Sequence, residues 1–431
     1  EATAMAAFLL DRAKQSTTYA FSLDEIPVAG DAERGEQLVA TLGCAACHTV
    51  PVEAAKIEHK NRASHYDYGP PLADVGTNTS KQWIYNWVKN PKRYAPTTRM
   101  PSLRLSDQEA ADVAEFLAAQ RSELSIPALP TGLNLGDPAL IKKGDELVRH
   151  YGCFGCHLIE GYEKTPGIGA ELNEFGIKRV ERLDFGDQVP DHNQQTWDRW
   201  LLEKLTHPRV YAYDRVDTRM PQFDLRPDEI RAVMTVLKGM RGVNKETQVL
   251  GRRYTREDEA RERGREVVRL YNCFGCHDFE DKSGDISQLA QYRGQNAKYG
   301  PPPLLGEGNR VRPEWLFGFL KEPFPLRPLP KLRMPTFRFE DDTATDLVAM
   351  FSALDRAVFP FRYYAGVKPQ TPAEKRVGKL LFESTGCQKC HVVGEMRSGA
   401  LPDGVVAPNL VMTKERSRAS SRSSRCKLFP T

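Results

Sequence analysis

Residues 33–48 read ERGEQLVATLGCAACH, and the pattern returns as KKGDELVRHYGCFGCH at 142–157, ERGREVVRLYNCFGCH at 262–277 and KRVGKLLFESTGCQKCH at 375–391. Each stretch ends in C-x-x-C-H, so Cys44, Cys47, Cys153, Cys156, Cys273, Cys276, Cys387 and Cys390 account for eight of the nine cysteines. Two thiols three positions apart on one turn can each add to a vinyl group of a haem. The adjacent imidazole, here His48, His157, His277 or His391, then ligates the iron from the same side, so the motif reads as a c-type haem attachment site. A zinc ribbon would pair two C-x-x-C motifs about 15 to 20 residues apart. Here the four histidines are separated by 109, 120 and 114 residues, so each motif belongs to its own domain-sized unit. A thioredoxin-type redox pair would not recur at such intervals.

A chain of 431 residues exceeds what one core usually supports. With 40% hydrophobic and 27% charged residues the composition is that of a soluble globular protein. The formal charge of +4 is too small to point to nucleic acid, and the propionates of four haems would cancel it. No apolar run approaches 18 residues, the longest candidate being Ala4 to Leu10, so no transmembrane segment is expected. Numbering opens at Glu1 without a methionine, which suggests that an export signal or anchor precedes it. Thioether attachment of haem follows export, so the expected location is periplasmic or otherwise extracytoplasmic, with membrane association through a partner or an N-terminal anchor.

Internal comparison extends the repeat beyond the motifs. A glycine stands nine residues before each first cysteine, at Gly35, Gly144, Gly264 and Gly378, within an apolar i, i+3, i+4 pattern that predicts an amphipathic helix. A mid-helix glycine costs about 1 kcal/mol relative to alanine. Its recurrence at one register predicts that another helix crosses closely there. After the motif come Gly69-Pro70-Pro71-Leu72, Gly300-Pro301-Pro302-Pro303-Leu304 and Ala407-Pro408-Asn409-Leu410, while the second stretch reads Gly169-Ala170-Glu171-Leu172. Trp83, Trp200 and Trp315 follow, each eight residues before a helix-ending proline, and suit either core filling or packing on a haem. Three Arg-Met-Pro tripeptides place Met100, Met220 and Met334 at 52, 63 and 57 residues past their histidines. A thioether is a soft ligand, and Met/His ligation raises a haem's reduction potential. Closing helices with acidic starts are predicted at 107–120, 227–240 and 341–354.

In this order the segments resemble class I cytochromes c, in three complete copies between about residues 30 and 355 and a partial fourth from about 373. The resemblance implies an all-α protein with domains at 1–128 (an N-terminal segment and the first copy), 129–250, 251–365 and 366–431. It implies that the first and last helices of each copy cross at the glycine, Gly35 meeting the helix of Phe116 and Gly264 that of Phe351. It also implies that the carbonyls of Pro70, Pro302 and Pro408 accept a hydrogen bond from the haem-ligating histidine; Ala170 puts this in question for the second copy. The segments 125–138, 242–258 and 359–372 read as linkers.

The fourth copy departs from the pattern. Its distal methionine would fall near 443 to 454, beyond Thr431, and an arginine- and serine-rich stretch at 416–425 replaces the Trp helix. A frameshifted or truncated coding sequence, a disordered tail with another sixth ligand, and a ligand from a second polypeptide all fit. Met412 is the nearest alternative ligand and Met396 stands too close to His391. His59, His65, His150, His192 and His207 read as surface or loop residues, and Cys426 receives no role.

The leading expectation is a tetrahaem electron carrier with four covalent haem c groups and no catalytic residues. It would relay electrons between redox partner proteins near a respiratory chain, free or as a subunit of a membrane-bound complex. A redox enzyme using an open fourth haem, and a filament-forming cytochrome, are the competing readings.

Overall fold

In a computed structural model the chain is described at residues 1–15, 22–58, 69–122, 132–157, 159–186, 194–212, 220–241, 254–327, 331–357, 371–393 and 410–416. The linkers largely fall outside these residues, as do His59, His65, His192, Met396, Pro408 and Cys426. Among the described residues the fold is helical, with isolated bridges in place of strands. The all-α expectation holds.

The helices of eight or more residues are α1 Ala2–Gln15, α2 Ala32–Thr41, α3 Lys81–Lys89, α4 Asp107–Ala118, α5 Pro138–Tyr151, α6 Trp197–Thr206, α7 Pro227–Gly239, α8 Arg256–Leu270, α9 Pro313–Lys321, α10 Asp341–Leu354 and α11 Pro372–Ser384. Their starts are written in the sequence. Asp31 caps α2 by accepting from the Arg34 N–H, and Ser106 with Glu109 forms a capping box on α4. Thr255 with Asp258 and Thr371 with Glu374 do the same for α8 and α11.

The chain divides into two compact units. One unit joins residues 22–125 to 254–431. In it α2 crosses α4 at Gly35, where a Cβ would collide with the Asp112 carbonyl and the Phe116 side chain. Likewise α8 crosses α10 at Gly264, against Met350. Both crossings are those expected. Arg34 fastens the first by donating from Nε and a terminal nitrogen to the buried Asp112 carboxylate at 2.9 and 3.0 Å. Around α2 and α4 the core gathers Val39, Leu42, Ile84, Tyr85, Val113 and Leu117.

The other unit joins residues 1–21 to 126–253. Here the crossing differs from the expectation that each copy closes on its own last helix. Gly144 of α5 is met by α1, where a Cβ would collide with the Ala4 carbonyl and Phe8 Cβ. The N-terminal segment, grouped with the first copy from sequence, thus packs on the second motif's helix. Helix α7 packs instead against α6 and residues 175–177, its Lys238 carbonyl closing on Gly176. Counted from the helix caps at Ser106, Arg226 and Glu340, the positions equivalent to Phe116 and Met350 give Val236, which is 60% exposed. Phe8 fills that role, buried with Val148 and Tyr162.

Helix α11 has no such partner among the described residues. Nothing lies within 4 Å of a Cβ at Gly378, and Val377, Leu380 and Leu381 are 55, 64 and 60% exposed.

Candidate functional site

Each C-x-x-C-H motif begins with one left-handed residue after its helix. Gly43, Gly152, Asn272 and Gly386 take φ of 108°, 67°, 54° and 76°. A left-handed residue ends an α-helix without cost when it is glycine and at modest cost when it is asparagine. A three-residue 3₁₀ turn follows at Cys44–Ala46, Cys153–Gly155, Cys273–Gly275 and Cys387–Lys389. In all four the histidine N–H donates to the first cysteine's carbonyl at 2.9 Å. The second cysteine has φ of −117°, −119°, −117° and −115°. The four motifs share one local geometry, and none of these eight cysteines is joined in a disulfide. Among the described residues no group of three His, Cys, Asp or Glu side chains is placed to hold a metal ion.

The imidazoles are oriented as the sequence implied where the loops carry proline. His48 Nδ1 lies 2.7 Å from the Pro70 carbonyl, and His277 Nδ1 the same distance from that of Pro302. Donation from Nδ1 leaves Nε2 as the unprotonated nitrogen, the one that could ligate a haem iron. A Cβ at Gly69 would collide with the His48 ring, so only glycine lets this loop lie against it. No carbonyl among the described residues accepts from His157, in line with Ala170 at the proline position. Burial lowers the pKa of His277 and holds it neutral. Burial also pushes the Cys44 and Cys273 thiols up to about 12 and raises Cys276. For Cys273 and Cys276 the Cys47 sulfur adds to the effect, so sulfurs of two motifs stand within electrostatic reach of each other.

Of the three candidate methionines, one shares an apolar cluster with its motif cysteine. Met334 packs on the same apolar cluster as Cys273, with Trp315, Phe337 and Phe339 around them. The Trp87 indole N–H donates to Met100 Sδ at 2.8 Å, which orients the thioether. Met220 packs with Trp197, Trp200 and Leu225, while Cys153 packs in a separate cluster with Phe8 and Tyr162. Met412 closes a short turn at Leu410–Met412. The repeat tryptophans pack on neighbouring aromatics: Trp83 on Trp87 and Tyr94, Trp200 on Phe175 and Tyr211, Trp315 on Phe319 and Phe324. His150 sits at the end of α5 against Tyr151, and His207 caps α6 through the Glu203 carbonyl, so both keep the peripheral places expected.

Paired thiols and an imidazole on one turn, a ring oriented by a carbonyl, and a methionine in the same apolar cluster are the donor set of a covalently held haem. The third motif shows all of these together. Three features escaped the sequence reading: Trp87, Asn272 and the role of α1. Asn272 was visible as the one non-glycine before a motif. Helix α1 carried its signal in Ala4 and Phe8, an i, i+4 pair like Asp112 and Phe116.

Comparison with known proteins agrees for the first of these segments. A family model described as Cytochrome c matches residues 32–120. Over 110 residues the chain is 34% identical to a cytochrome c from Guizotia abyssinica, covering 23% of this chain and 96% of that protein. It is 28% identical over 108 residues to a cytochrome c from Nigella damascena, covering 22% of this chain and 95% of the relative. Cytochrome c 2.1 of Caenorhabditis elegans is 28% identical over 112 residues, covering 23% of this chain and 98% of the relative. No solved structure gives a significant match.

Proposed function

The chain belongs to the cytochrome c family through residues 32–120, and from this premise we propose that it is a tetrahaem electron carrier relaying single electrons between redox partner proteins. Membership implies haem-based electron transfer and covalently bound haem c. The step to four groups rests on one observation above the rest: the same turn, with the same backbone bond from histidine to first cysteine, at 44–48, 153–157, 273–277 and 387–391.

Haem iron held there supplies a reversible one-electron couple; the residues of the chain fix it in place and set its potential. Cys44 with Cys47, Cys153 with Cys156, Cys273 with Cys276, and Cys387 with Cys390 are the covalent anchors. His48, His157, His277 and His391 would each ligate the iron of the haem anchored beside them. Met100, Met220 and Met334 would supply a further iron ligand to three of the haems, and Met/His ligation would set those sites at comparatively high potential. The Pro70 and Pro302 carbonyls hold their imidazoles in one tautomer, and the Trp87 indole directs the Met100 lone pairs.

No described helix is long and apolar enough to cross a membrane. Because thioether attachment follows export, the carrier works outside the cytoplasm, and its donor and acceptor belong to a respiratory chain.

Mass spectrometry of the holoprotein tests the count. Four covalently bound haems are expected, and replacing either cysteine pair 44/47 or 153/156 by serine should lower the count by one. A single bound haem would sink the tetrahaem reading.

A further inference from the structure

Two motifs far apart in the chain meet inside one compact unit. Asn272, which immediately precedes the third motif, is 6% exposed and left-handed, and its side-chain amide crosses to the first motif. Nδ2 donates to the Ala46 carbonyl at 2.8 Å and lies 3.5 Å from Cys47 Sγ. The equivalent residues before the other motifs are Gly43, Gly152 and Gly386, which have no side chain to reach with. A Cβ at Gly275 would fall 2.6 Å from the Ala46 carbonyl, so the two turns are in contact. Cys47 and Cys276 pack on one apolar cluster built by Ala46, Ile286, Leu289 and Tyr292.

The distal segments meet as well. Ser102 and Thr336, each two residues beyond its methionine, exchange both backbone hydrogen bonds in antiparallel fashion at 3.0 and 2.9 Å. Arg333, the residue before Met334, grips Glu109 through both terminal nitrogens at 3.1 and 2.5 Å. Motif therefore meets motif, and Met-Pro segment meets Met-Pro segment. The contact thus involves both candidate ligand segments of each copy.

We propose that the haems carried at 44–48 and 273–277 act as one coupled pair, exchanging electrons directly with each other, and that Asn272 is the positioning residue that ties them. The step moves one electron, oxidising one iron and reducing the other, with no bond made or broken. This rests on the reading that both motifs carry haem, and the haem count checks that separately.

The test uses full-length holoprotein and Soret circular dichroism, in which two close haems give a bisignate couplet belonging to the pair. Haem is removed from the first motif (Cys44→Ser with Cys47→Ser), from the third (Cys273→Ser with Cys276→Ser), and from both. A shared couplet is lost in either single variant, so the double variant should lose clearly less than the sum of the two. Strictly additive losses, with the remaining haems still counted by mass, would overturn the pairing. Absence of haem at either motif in the unmodified protein would instead overturn the tetrahaem reading.

Asn272→Gly restores the residue of the other three motifs and should retain every haem. It is expected to reduce the couplet about twofold and to lower one redox component by roughly three- to tenfold in its reduction equilibrium, a tenfold change being about 59 mV for one electron. The sign follows because the lost amide N–H favours the electron-rich reduced state. An unchanged couplet and unchanged potentials would remove Asn272 from the proposal.

Discussion

At the scale of single residues, the glycines nine positions before each motif separate two situations that the sequence alone makes identical. Gly35 lies under a backbone carbonyl, and Gly264 under the Cβ and sulfur of Met350. Neither the carbonyl nor the Met350 Cβ can swing away as the end of a flexible side chain would. Gly35→Ala should therefore cost about 2 kcal/mol or more through overpacking. Gly378 faces open space, so Gly378→Ala should stabilise its helix by about 0.5–1 kcal/mol through helix propensity and a stiffer unfolded chain. Denaturant melts of the two variants would show opposite shifts; equal shifts would mean the crossing at Gly35 is loose. The position of these glycines was legible from spacing. What sits on them was not, because a crossing is a long-range fact that a helix's own sequence does not state. The same holds for Asn272, whose type stood out but whose target, the Ala46 carbonyl, belongs to a distant stretch.

At the scale of helices, the pair α2 and α4 is locked by Arg34 on Asp112, which also accepts from the Asp31 N–H and from Gln108. The Arg34 guanidinium leads the groups that hold the Asp112 carboxyl below the ordinary aspartate value of 3.8. A carboxyl depressed in the fold stabilises it at pH above the unfolded value and loses that contribution as pH falls through the folded one. Asp112→Asn should thus cost about 2 kcal/mol near neutral pH, the scale of hydrogen bonds to a charged group. The difference from the parent should shrink below about pH 4. A gap that stayed constant into acid would assign the cost to packing alone. Helix α1 carries a second prediction. Phe8 is 2% exposed against Val148 and Tyr162, so Phe8→Ala should cost about 3 kcal/mol or more in the unit containing α5. Val236→Ala, at the exposed position α1 has taken over, should be nearly silent. The reverse ranking would put α7, not α1, on Gly144. Helix existence was legible here from periodicity and caps; the choice between α1 and α7 was not, since both offer small and apolar residues at i, i+4.

At the scale of the whole chain, the motifs predict a redox titration with three components grouped at Met/His-like potentials and one set apart, because Met100, Met220 and Met334 have no counterpart described for His391. Four equal components would contradict those ligand assignments. The motifs and their turns were fully legible, being local chemistry. The division of the chain was not, since its units are discontinuous: residues 1–21 join 126–253, and 22–125 join 254–431. That division gives the docking of α1 a consequence for biogenesis. Helix α1 precedes the first motif in the chain yet closes the second motif's core, so it waits for that partner until the whole stretch bearing the first motif has been made. Roughly 140 residues separate Ala4 from Gly144, against roughly 80 between Gly35 and Phe116. Closing the longer loop costs only about 0.5 kcal/mol more. The burden is therefore one of timing: a maturation machinery that reads motifs in order of appearance would complete the first before the second is able to shut.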